Sequence, residues 1–178
     1  MSSEQLGKLN IMVEKLLETA SLDSDNLDLN LASVDLIDTI NTLTRRFKIQ
    51  FPERQFVTNF NTESYLAYVD PFHFENALNN ILDNAIKYGG KKITVDLMPK
   101  NKHFEILVSD SGNTLTKANK ARVFDKFYRV PKGNTHDVKG FGIGLYYTKS
   151  IIEKHNGTID LELKEKLTTF KITLPNGS

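Results

Sequence analysis

Residues 70–90 read DPFHFENALNNILDNAIKYGG, and this stretch predicts an α-helix with a signal at each end. Asp70 can cap the N-terminus, and Pro71 suits the first helical position, where its missing N–H has no intrahelical partner. Gly89 and Gly90 predict the C-terminus, because glycine readily adopts the left-handed conformation that often ends a helix. The apolar residues recur on one face, at the spacings expected of a helix packed on a core. They are Phe74, Leu78, Ile81 and Ala85.

The other side of this helix carries a polar stripe formed by Asn80, Asn84 and Lys87. Residues at these spacings neighbour one another on a helix, about 5–6 Å apart at Cβ. Asparagine is a poor helix former, so two asparagines in line indicate a use other than helical stability. An asparagine oxygen is a hard, neutral ligand suited to Mg²⁺, and a lysine one turn further on is suited to phosphate. On this helix alone, a solvated polar face is an equally good interpretation.

Composition excludes several functional classes. The chain has 178 residues, enough for one domain with a substantial core, and its formal net charge is +1. This balance favours neither a nucleic-acid binder nor a membrane-surface binder. The absence of cysteine excludes a disulfide framework and cysteine-ligated metals. Because no run of about 18 apolar residues occurs, we expect a soluble chain that makes no membrane contact, with any membrane anchor lying outside it.

Hydrophobic periodicity predicts helices and strands along the rest of the chain. Helices are predicted over residues 4–20, from Ser33 or Asp35 to 47, over 117–123 and over 142–155. Strands are predicted over residues 27–31, 56–60, 65–69, 93–98, 103–108, 158–163 and 169–174. Residues 21–26 predict a polar break, and residues 129–140 a long loop. Several antiparallel pairs with helices between them predict an α+β sandwich in which helices cover one sheet face.

Asp110-Ser-Gly112 follows a predicted strand directly. A carboxylate at a strand end beside a glycine can reach a ligand packed on the backbone, and it can accept a hydrogen bond from an amino group such as adenine N6. Taken alone, the motif is more often an ordinary turn.

Gly140-Phe-Gly142-Ile-Gly144-Leu145 precedes a predicted helix. Closely spaced glycines let the backbone approach a ligand, and the positive end of the following helix favours phosphate. The spacing matches neither the dinucleotide-binding fingerprint nor a P-loop.

Residues 123–130 place aromatic side chains beside basic ones. In one interpretation, Phe127 and Tyr128 anchor a loop whose Lys126 and Arg129 reach a terminal phosphate. In the other, the segment is a helix end with a hydrophobic staple. None of the four histidines stands in a metal-ligand pattern, so we expect structural or surface roles for them.

Together these motifs closely resemble the catalytic ATP-binding domain of bacterial sensor histidine kinases, which belong to the GHKL ATPase superfamily with gyrase B subunits and MutL. The four matching segments are Asn80–Tyr88, Asp110–Gly112, Phe124–Arg129 and Gly140–Leu145. The resemblance implies a Bergerat-type two-layer α/β sandwich. Its sheet is mixed and mostly antiparallel, with about three helices on one face and an additional N-terminal helix.

The resemblance also implies a role for each matching residue. Asn84 binds the magnesium between the phosphates, Asn80 supports it, and Lys87 contacts a phosphate; with Arg129 they form the expected catalytic set. Asp110 accepts the adenine N6 hydrogen bond, and Gly112 packs near the base. Lys126 and Tyr128 accompany Arg129 in the nucleotide-binding set. The remaining residues expected around the nucleotide are Tyr88, Gly140, Gly142, Gly144, Leu145 and Thr169.

The expected function is therefore transfer of the γ-phosphate of ATP, with Mg²⁺, to a histidine in two-component signalling. Where gyrase-like relatives have a glutamate that activates water, this chain has Asn80, which fits phosphoryl transfer better than hydrolysis. One departure is Thr114, which replaces a usual glycine and puts the mobility of the lid in doubt. An anti-sigma-factor-like serine/threonine kinase of the same superfamily, or a nucleotide-binding regulatory module, is the alternative.

No histidine stands in the phosphoacceptor motif of the resembled family, so we expect this chain to be a fragment. Residues 1–22 are expected to end the second helix of the dimerisation hairpin, and residues 23–178 to form the catalytic domain. The expected partners are the dimerisation and histidine-phosphotransfer domain of the same protein and a response-regulator receiver domain. The parent is expected to be a homodimeric, membrane-anchored bacterial sensor with this domain in the cytoplasm.

Overall fold

The computed structural model describes residues 2–23, 27–112, 114–130 and 142–177. Helices and strands of an α+β fold alternate along these residues, as predicted. In chain order they are α1 (Ser3–Asp23), β1 (Ala32–Asp35), α2 (Leu36–Gln50), β2 (Gln55–Phe60), β3 (Leu66–Val69), α3 (Pro71–Tyr88), β4 (Lys92–Pro99), β5 (His103–Asp110), α4 (Lys117–Arg122), α5 (Gly144–Lys154), β6 (Thr158–Lys164) and β7 (Leu167–Pro175).

The main sheet has five strands in the order β2-β4-β5-β7-β6. Strands β2 and β4 are parallel, and the other three pairs are antiparallel, so the sheet is mixed and mostly antiparallel as expected. The predicted hairpin of β4 and β5 is confirmed, and Lys100 N donates to His103 O across its turn at 2.8 Å. Strands β1 and β3 form a separate antiparallel pair.

The N-terminus of helix α3 forms as its sequence signal predicts. The carboxylate of Asp70 accepts a hydrogen bond from His73 N at 3.0 Å, and Pro71 occupies the first turn. All four predicted core residues of this helix are buried in the main hydrophobic cluster. The helix therefore packs on the sheet through one face and leaves the polar stripe on another.

Only one face of the sheet is covered. Along β4, buried Ile93, Val95 and Leu97 alternate with less buried residues, and β5 and β7 alternate in the same way. The buried residues share one cluster with the apolar faces of α2 and α3 and with Ile152 of α5. The opposite sheet face is partly exposed and carries ion pairs such as Glu105–Lys171 at 3.0 Å. This arrangement confirms the predicted two-layer sandwich.

The strand predicted over residues 27–31 is wrong. The strand lies over Ala32–Asp35, where Ala32 pairs with Val69 and Asp35 pairs with Leu66. Leu27 packs instead against a small cluster on α3 and α5. The alternation of apolar residues that predicted a strand therefore reflects contacts with helices, which periodicity alone cannot distinguish.

Helix α1 is longer than predicted. It continues through Ser21 to Asp23, into the expected polar break, because Leu22 is buried against Ala77, Tyr147 and Ile151. Most of its apolar residues are exposed, including Leu17 at 64% and Leu6 at 48%. Within the described ranges, no helix combines the length and the hydropathy needed to cross a membrane.

The end of α3 also differs from the prediction. Gly89 has φ −89° and ψ 176°, so the helix does not end in a left-handed residue. Glycine is required for a different reason. A Cβ at Gly89 would lie 2.7 Å from Cγ of Asp110, and a Cβ at Gly90 would lie 2.8 Å from the carbonyl carbon of Ser111. The two glycines therefore allow the chain after α3 to lie directly against the end of β5.

Asp35 joins α2 to the β3 strand, and its loss should destabilise the fold. Its carboxylate caps α2 through Ile37 N at 3.0 Å and accepts from Ser64 Oγ at 2.7 Å and Tyr65 N at 3.2 Å. We expect Asp35→Ala to lower the free energy of unfolding by about 1–2 kcal/mol, measured by urea denaturation. Asp35→Asn should lower the free energy of unfolding less, because asparagine also caps helices. Asp38→Ala, in the exposed first turn of α2, is the matched control and should lose least.

The effect should depend on pH in a fixed direction. The hydrogen bond from Ser64, followed by those from backbone N–H groups, lowers the pKa of Asp35. The stability gained from ionised Asp35 is therefore present above the unfolded-state pKa of about 3.9 and is lost as pH falls through the lower folded-state pKa. A wild-type advantage over Asp35→Asn that grew on acidification would contradict this role.

Candidate functional site

A cleft opens beside the polar stripe of α3. Its walls come from α3, from the segment after α4, from the turn that begins α5, and from Lys15 of α1. The space between them amounts to about 700 Å³, including the part open to solvent. The residues that line it are Lys15, Asn80, Asp83, Asn84, Lys87, Tyr88, Val123, Tyr128, Arg129, Val130, Gly142, Ile143, Gly144 and Leu145. Nine of the residues predicted for the site are therefore brought together.

The start of α5 lies against the polar stripe. Asn80 Nδ2 donates to Gly144 O at 3.4 Å, and Thr148 Oγ1 donates to Gly144 O at 2.9 Å and to Ala77 O at 3.4 Å. The unpaired N–H groups and positive end of this 11-residue helix thus lie at the cleft. This is a favourable place for an anion.

The turn before α5 requires a glycine. Gly142 has φ +71°, and a Cβ there would lie 2.7 Å from the carbonyl carbon of Phe127 and from Tyr128 O. Phe127 N also donates to Gly142 O at 2.8 Å, and Phe127 itself has φ 66°. The aromatic segment and the glycine turn therefore pack backbone against backbone. Glycine adopts positive φ freely, so the conformational cost of this contact falls on Phe127, for which positive φ is unfavourable.

Charges on the cleft wall are mostly positive. Lys15, Lys87 and Arg129 are cations, and Asp83 is the carboxylate among the lining residues. Lys87 Nζ lies 2.7 Å from a carboxylate oxygen of Asp83, one turn earlier on α3. Burial and the Asp83 charge raise the pKa of Tyr88, which also lies near enough to Arg129 to feel its charge. An anionic group that entered this cleft would meet an excess of positive charge.

Asp110 lies behind the end of α3. It is 4% exposed, and one carboxylate oxygen accepts from Gly112 N at 2.8 Å. Burial raises the pKa of Asp110, while hydrogen bonds from the backbone of Gly112 and Gly90 and the charge of Arg54 oppose that rise. Neither Asp110 nor Gly112 lines the cleft. They adjoin it through Gly89, which follows the cleft residue Tyr88.

Two predicted site residues lie elsewhere. Thr169 is on the outer sheet face, where its hydroxyl lies 2.9 Å from Ser109 Oγ. The neighbouring Thr168 is buried, pairs with Asp110 and donates to Gly112 O at 3.1 Å. Adjacent strand residues face opposite sides of a sheet, so Thr168, and not Thr169, lies on the same face as Asp110; the role expected of Thr169 stays a prediction.

Lys126 does not reach the cleft. Its ammonium lies 2.7 Å from Asp23 of α1 and over the rings of Phe127 and Tyr146. The hydroxyl of Tyr146 donates to the same carboxylate. In this structure, Lys126 thus pairs with a residue 103 positions away, and its expected contact with a phosphate stays a prediction. Gly140, also predicted for the site, lies outside the described residues.

Tyr128 does line the cleft as predicted. Its hydroxyl accepts from Asn119 Nδ2 at 3.0 Å, and the guanidinium of Arg122 lies 4.6 Å from its ring centroid. These contacts fix the ring beside Arg129, which is the next residue along the chain.

Sequence reasoning missed Lys15, Asp83, Thr168 and Arg54. Asp83 could have been found, because an aspartate four residues before a lysine on a helix predicts an ion pair. Lys15, Thr168 and Arg54 are brought to this region by contacts between residues distant in sequence. Thr114, noted only as a departure, donates to Tyr88 O at 2.6 Å and thereby helps to close the end of α3.

Two described histidines have structural partners, as expected. His155 Nε2 accepts from Asp70 N at 2.9 Å, and burial lowers the pKa of His155. His73 Nδ1 lies 2.7 Å from the hydroxyl of Tyr147. Among the described residues, no three acidic, histidine or cysteine side chains form a group that could hold a metal ion.

The residues around this cleft fall within a known protein family. The family model of histidine kinase-, DNA gyrase B- and HSP90-like ATPases matches residues 69–178. The chain belongs to this family. Within it, the chain is the ATP-binding catalytic domain of a sensor histidine kinase, as the sequence predicts. The matched residues include the polar stripe, Asp110 and the turn at Gly142.

Three relatives illustrate the similarity. The sensor protein RprX of Bacteroides fragilis is 35% identical over 182 residues, which cover 97% of this chain and 35% of RprX. The histidine-protein kinase ArlS of Staphylococcus aureus is 32% identical over 175 residues, which cover 97% of this chain and 39% of ArlS. The fold matches the histidine kinase ThkA, solved with the response regulator TrrA, at a TM-score of 0.78 and 22% identity over 98% of this chain and 49% of that one. The chain thus spans under half the length of these relatives.

The buried carboxyl of this ATP-binding domain should titrate in an unusual range. Burial raises the pKa of Asp110 above its unfolded value of about 3.9, so ionisation costs folding free energy. As pH rises from about 4 through the folded-state pKa, the wild type should lose stability relative to Asp110→Asn, which cannot ionise at this position. Urea denaturation of both proteins across this range, with the carboxyl carbon followed by NMR, measures the effect. A stability difference that stayed constant or moved the other way would contradict the assignment.

Proposed function

We propose that this domain binds ATP with Mg²⁺ in the cleft and donates the γ-phosphate to a histidine on a helix outside the described fold. The observation that carries the proposal is the polar stripe of α3, which faces the N-terminus of α5 and Arg129 across one cleft. Membership of an ATPase family indicates that the ligand is ATP, and the cations on the cleft wall suit the ATP phosphates.

The residues of the stripe fit magnesium. Mg²⁺ is usually held by one or two protein oxygens together with substrate phosphates and water, rather than by a full protein cage. The amides of Asn84 and Asn80 offer such oxygens. The absence of a three-group acidic or histidine cluster among the described residues is consistent with a site completed by phosphate. Bound there, the metal would neutralise charge that develops on the phosphates.

The remaining residues position the nucleotide. Lys87, Arg129 and the N-terminus of α5 at Gly144 present positive charge to the phosphates. At the opposite end of the nucleotide, the carboxylate of Asp110 accepts a hydrogen bond from the adenine amino group, and Gly112 lies beside the base. Tyr88, Tyr128 and Leu145 line the cleft, where their apolar and aromatic surfaces can border the nucleotide.

Transfer to a protein side chain fits this chemistry better than hydrolysis. The Asn80 position, which adjoins Gly144, carries an amide and cannot take a proton from water. Among the described lining residues, the carboxylate is Asp83, and it is paired with Lys87. Catalysis then depends on alignment and charge stabilisation, which the lysine, the arginine and the helix terminus can supply.

The role of α1 follows from its exposed apolar residues. We infer that residues 1–22 end a dimerisation helix and that residues 23–178 form the catalytic domain of a homodimeric, membrane-anchored sensor. The exposed apolar side chains, including Leu6, Leu9, Val13 and Leu17, suit contacts with another helix. ThkA was solved with a response regulator, and we propose that a receiver domain is likewise the next acceptor here.

Asn84 should determine how strongly magnesium supports binding. We expect micromolar-range ATP binding by the wild type in Mg²⁺ and at least about tenfold weaker binding by Asn84→Ala, which is ~1.4 kcal/mol. Removal of Mg²⁺ should weaken the wild type to a similar extent and change Asn84→Ala little. Calorimetry on both proteins, with and without a chelator, measures this. Asn41→Ala on α2 is the control, and equal ATP affinity for all three proteins would refute the metal role.

Phosphotransfer should require a supplied acceptor. We expect labelled phosphate from ATP to appear on a histidine-bearing dimerisation helix added in trans and not on this chain alone. The label should be lost in acid and kept in alkali, as expected of a phosphohistidine. A label that survived acid would favour the serine/threonine kinase alternative, and steady ATP hydrolysis without transfer would favour an ATPase.

A further inference from the structure

Arg54 closes the C-terminal end of α3. It lies just before β2, and its side chain is only 23% exposed. One guanidinium nitrogen donates to Gly90 O at 2.6 Å and to Gly89 O at 3.3 Å, and the other donates to Ile86 O at 3.1 Å. The last carbonyls of a helix lack intrahelical partners and carry partial negative charge. A planar cation with several N–H groups suits them in both geometry and charge.

The carbonyls that Arg54 binds belong to the chain segment that touches the base-side carboxylate. A Cβ on Gly89 would lie 2.7 Å from Cγ of Asp110, and a Cβ on Gly90 would lie 2.9 Å from Gly112 N. Arg54 therefore holds the two glycines on one side while Asp110 and Gly112 pack on the other. The Gly89–Gly90 segment therefore connects helix α3, which bears the polar stripe, with the end of strand β5, which bears Asp110.

We propose that Arg54 is a positioning residue of the nucleotide site, which fixes the end of α3 against Asp110 and so sets the distance between the phosphate and base ends of the cleft. It touches neither end of the nucleotide. The proposal rests on the proposed function of Asp110 and the polar stripe.

The charge of Arg54 acts on Asp110 as well. Burial raises the pKa of Asp110, and three groups oppose the rise: the N–H of Gly112, the N–H of Gly90 and the Arg54 guanidinium. On the two neighbouring strands, Asp110 pairs with Ile93 and Thr168, both of which are uncharged. The charged neighbour of Arg54 itself is Glu53, whose carboxylate lies 3.8 Å away and is 64% exposed. Loss of Arg54 should therefore move the titration of Asp110 upward in pH.

The experiment compares Arg54→Gln and Arg54→Lys with the wild type. Mg-ATP affinity is measured by calorimetry from about pH 5 to about pH 8, and the titration of the Asp110 carboxyl carbon is followed by NMR. Arg54→Gln should bind ATP about tenfold more weakly at neutral pH. On acidification, its ATP binding should be lost at a higher pH than that of the wild type, because Asp110 becomes protonated at a higher pH. Arg54→Lys keeps the charge but not the planar fork. It should show a near-native pH midpoint with affinity reduced several-fold. The control is Arg46→Gln, which breaks the Arg46–Glu75 pair at 3.0 Å between α2 and α3 and should bind as the wild type does.

The outcomes separate a positioning role from a merely structural one. If Arg54→Gln unfolds at a lower temperature but keeps the wild-type affinity and Asp110 midpoint, the proposal is overturned. If Arg54→Gln does not fold, Arg54→Lys decides, because weaker binding supports the proposal and unchanged binding overturns it. Failure of the wild type and of Arg46→Gln to bind ATP would overturn the nucleotide site itself, a result distinct from a failure confined to Arg54.

Discussion

The close contact between the end of α3 and the end of β5 holds the rest of the site together. Gly89 and Gly90 lie where no side chain larger than hydrogen fits against Asp110 and Ser111. This backbone contact fixes the direction in which α3 leaves the sheet. Because α3 packs on the core along one face, fixing its end also fixes the polar stripe, which lies within about two and a half turns of that end. The position of each asparagine thus depends on a contact made by residues without side chains.

The site gives up local stability in several places. Asparagine replaces better helix formers on α3, and burial raises the pKa of Asp110, so that its ionised form is costly. Phe127 adopts a positive φ that disfavours an L-residue. The core compensates, since the apolar face of α3 and the sheet strands share one continuous cluster. Costly features concentrated on one side of a well-packed helix are what a binding site built on a stable scaffold should show.

Features set by local sequence could be predicted, and those set by distant contacts could not. The caps and periodicity of α3 lie within 21 residues, and the hairpin of β4 and β5 needs only a short turn, so both were found. Which of Thr168 and Thr169 faces the helices depends on the register that pairing with β5 decides, and the sequence alone does not show that register. Lys126 was placed at the phosphates because nothing near it in sequence reveals its partner Asp23. Arg54 was missed for the same reason, since its acceptors lie more than 30 residues away.

The two ends of the cleft differ in how they meet a ligand. The proposed base end adjoins the cleft at the end of β5, where backbone surrounds the carboxylate of Asp110, which is 4% exposed. The phosphate end consists of exposed side chains, and Lys87 already pairs with Asp83 there. A phosphate must compete with that carboxylate for the lysine, and the two anions repel each other unless a cation lies between them. A divalent cation bound beside the phosphates, as proposed above, would lessen this repulsion between the phosphate and Asp83.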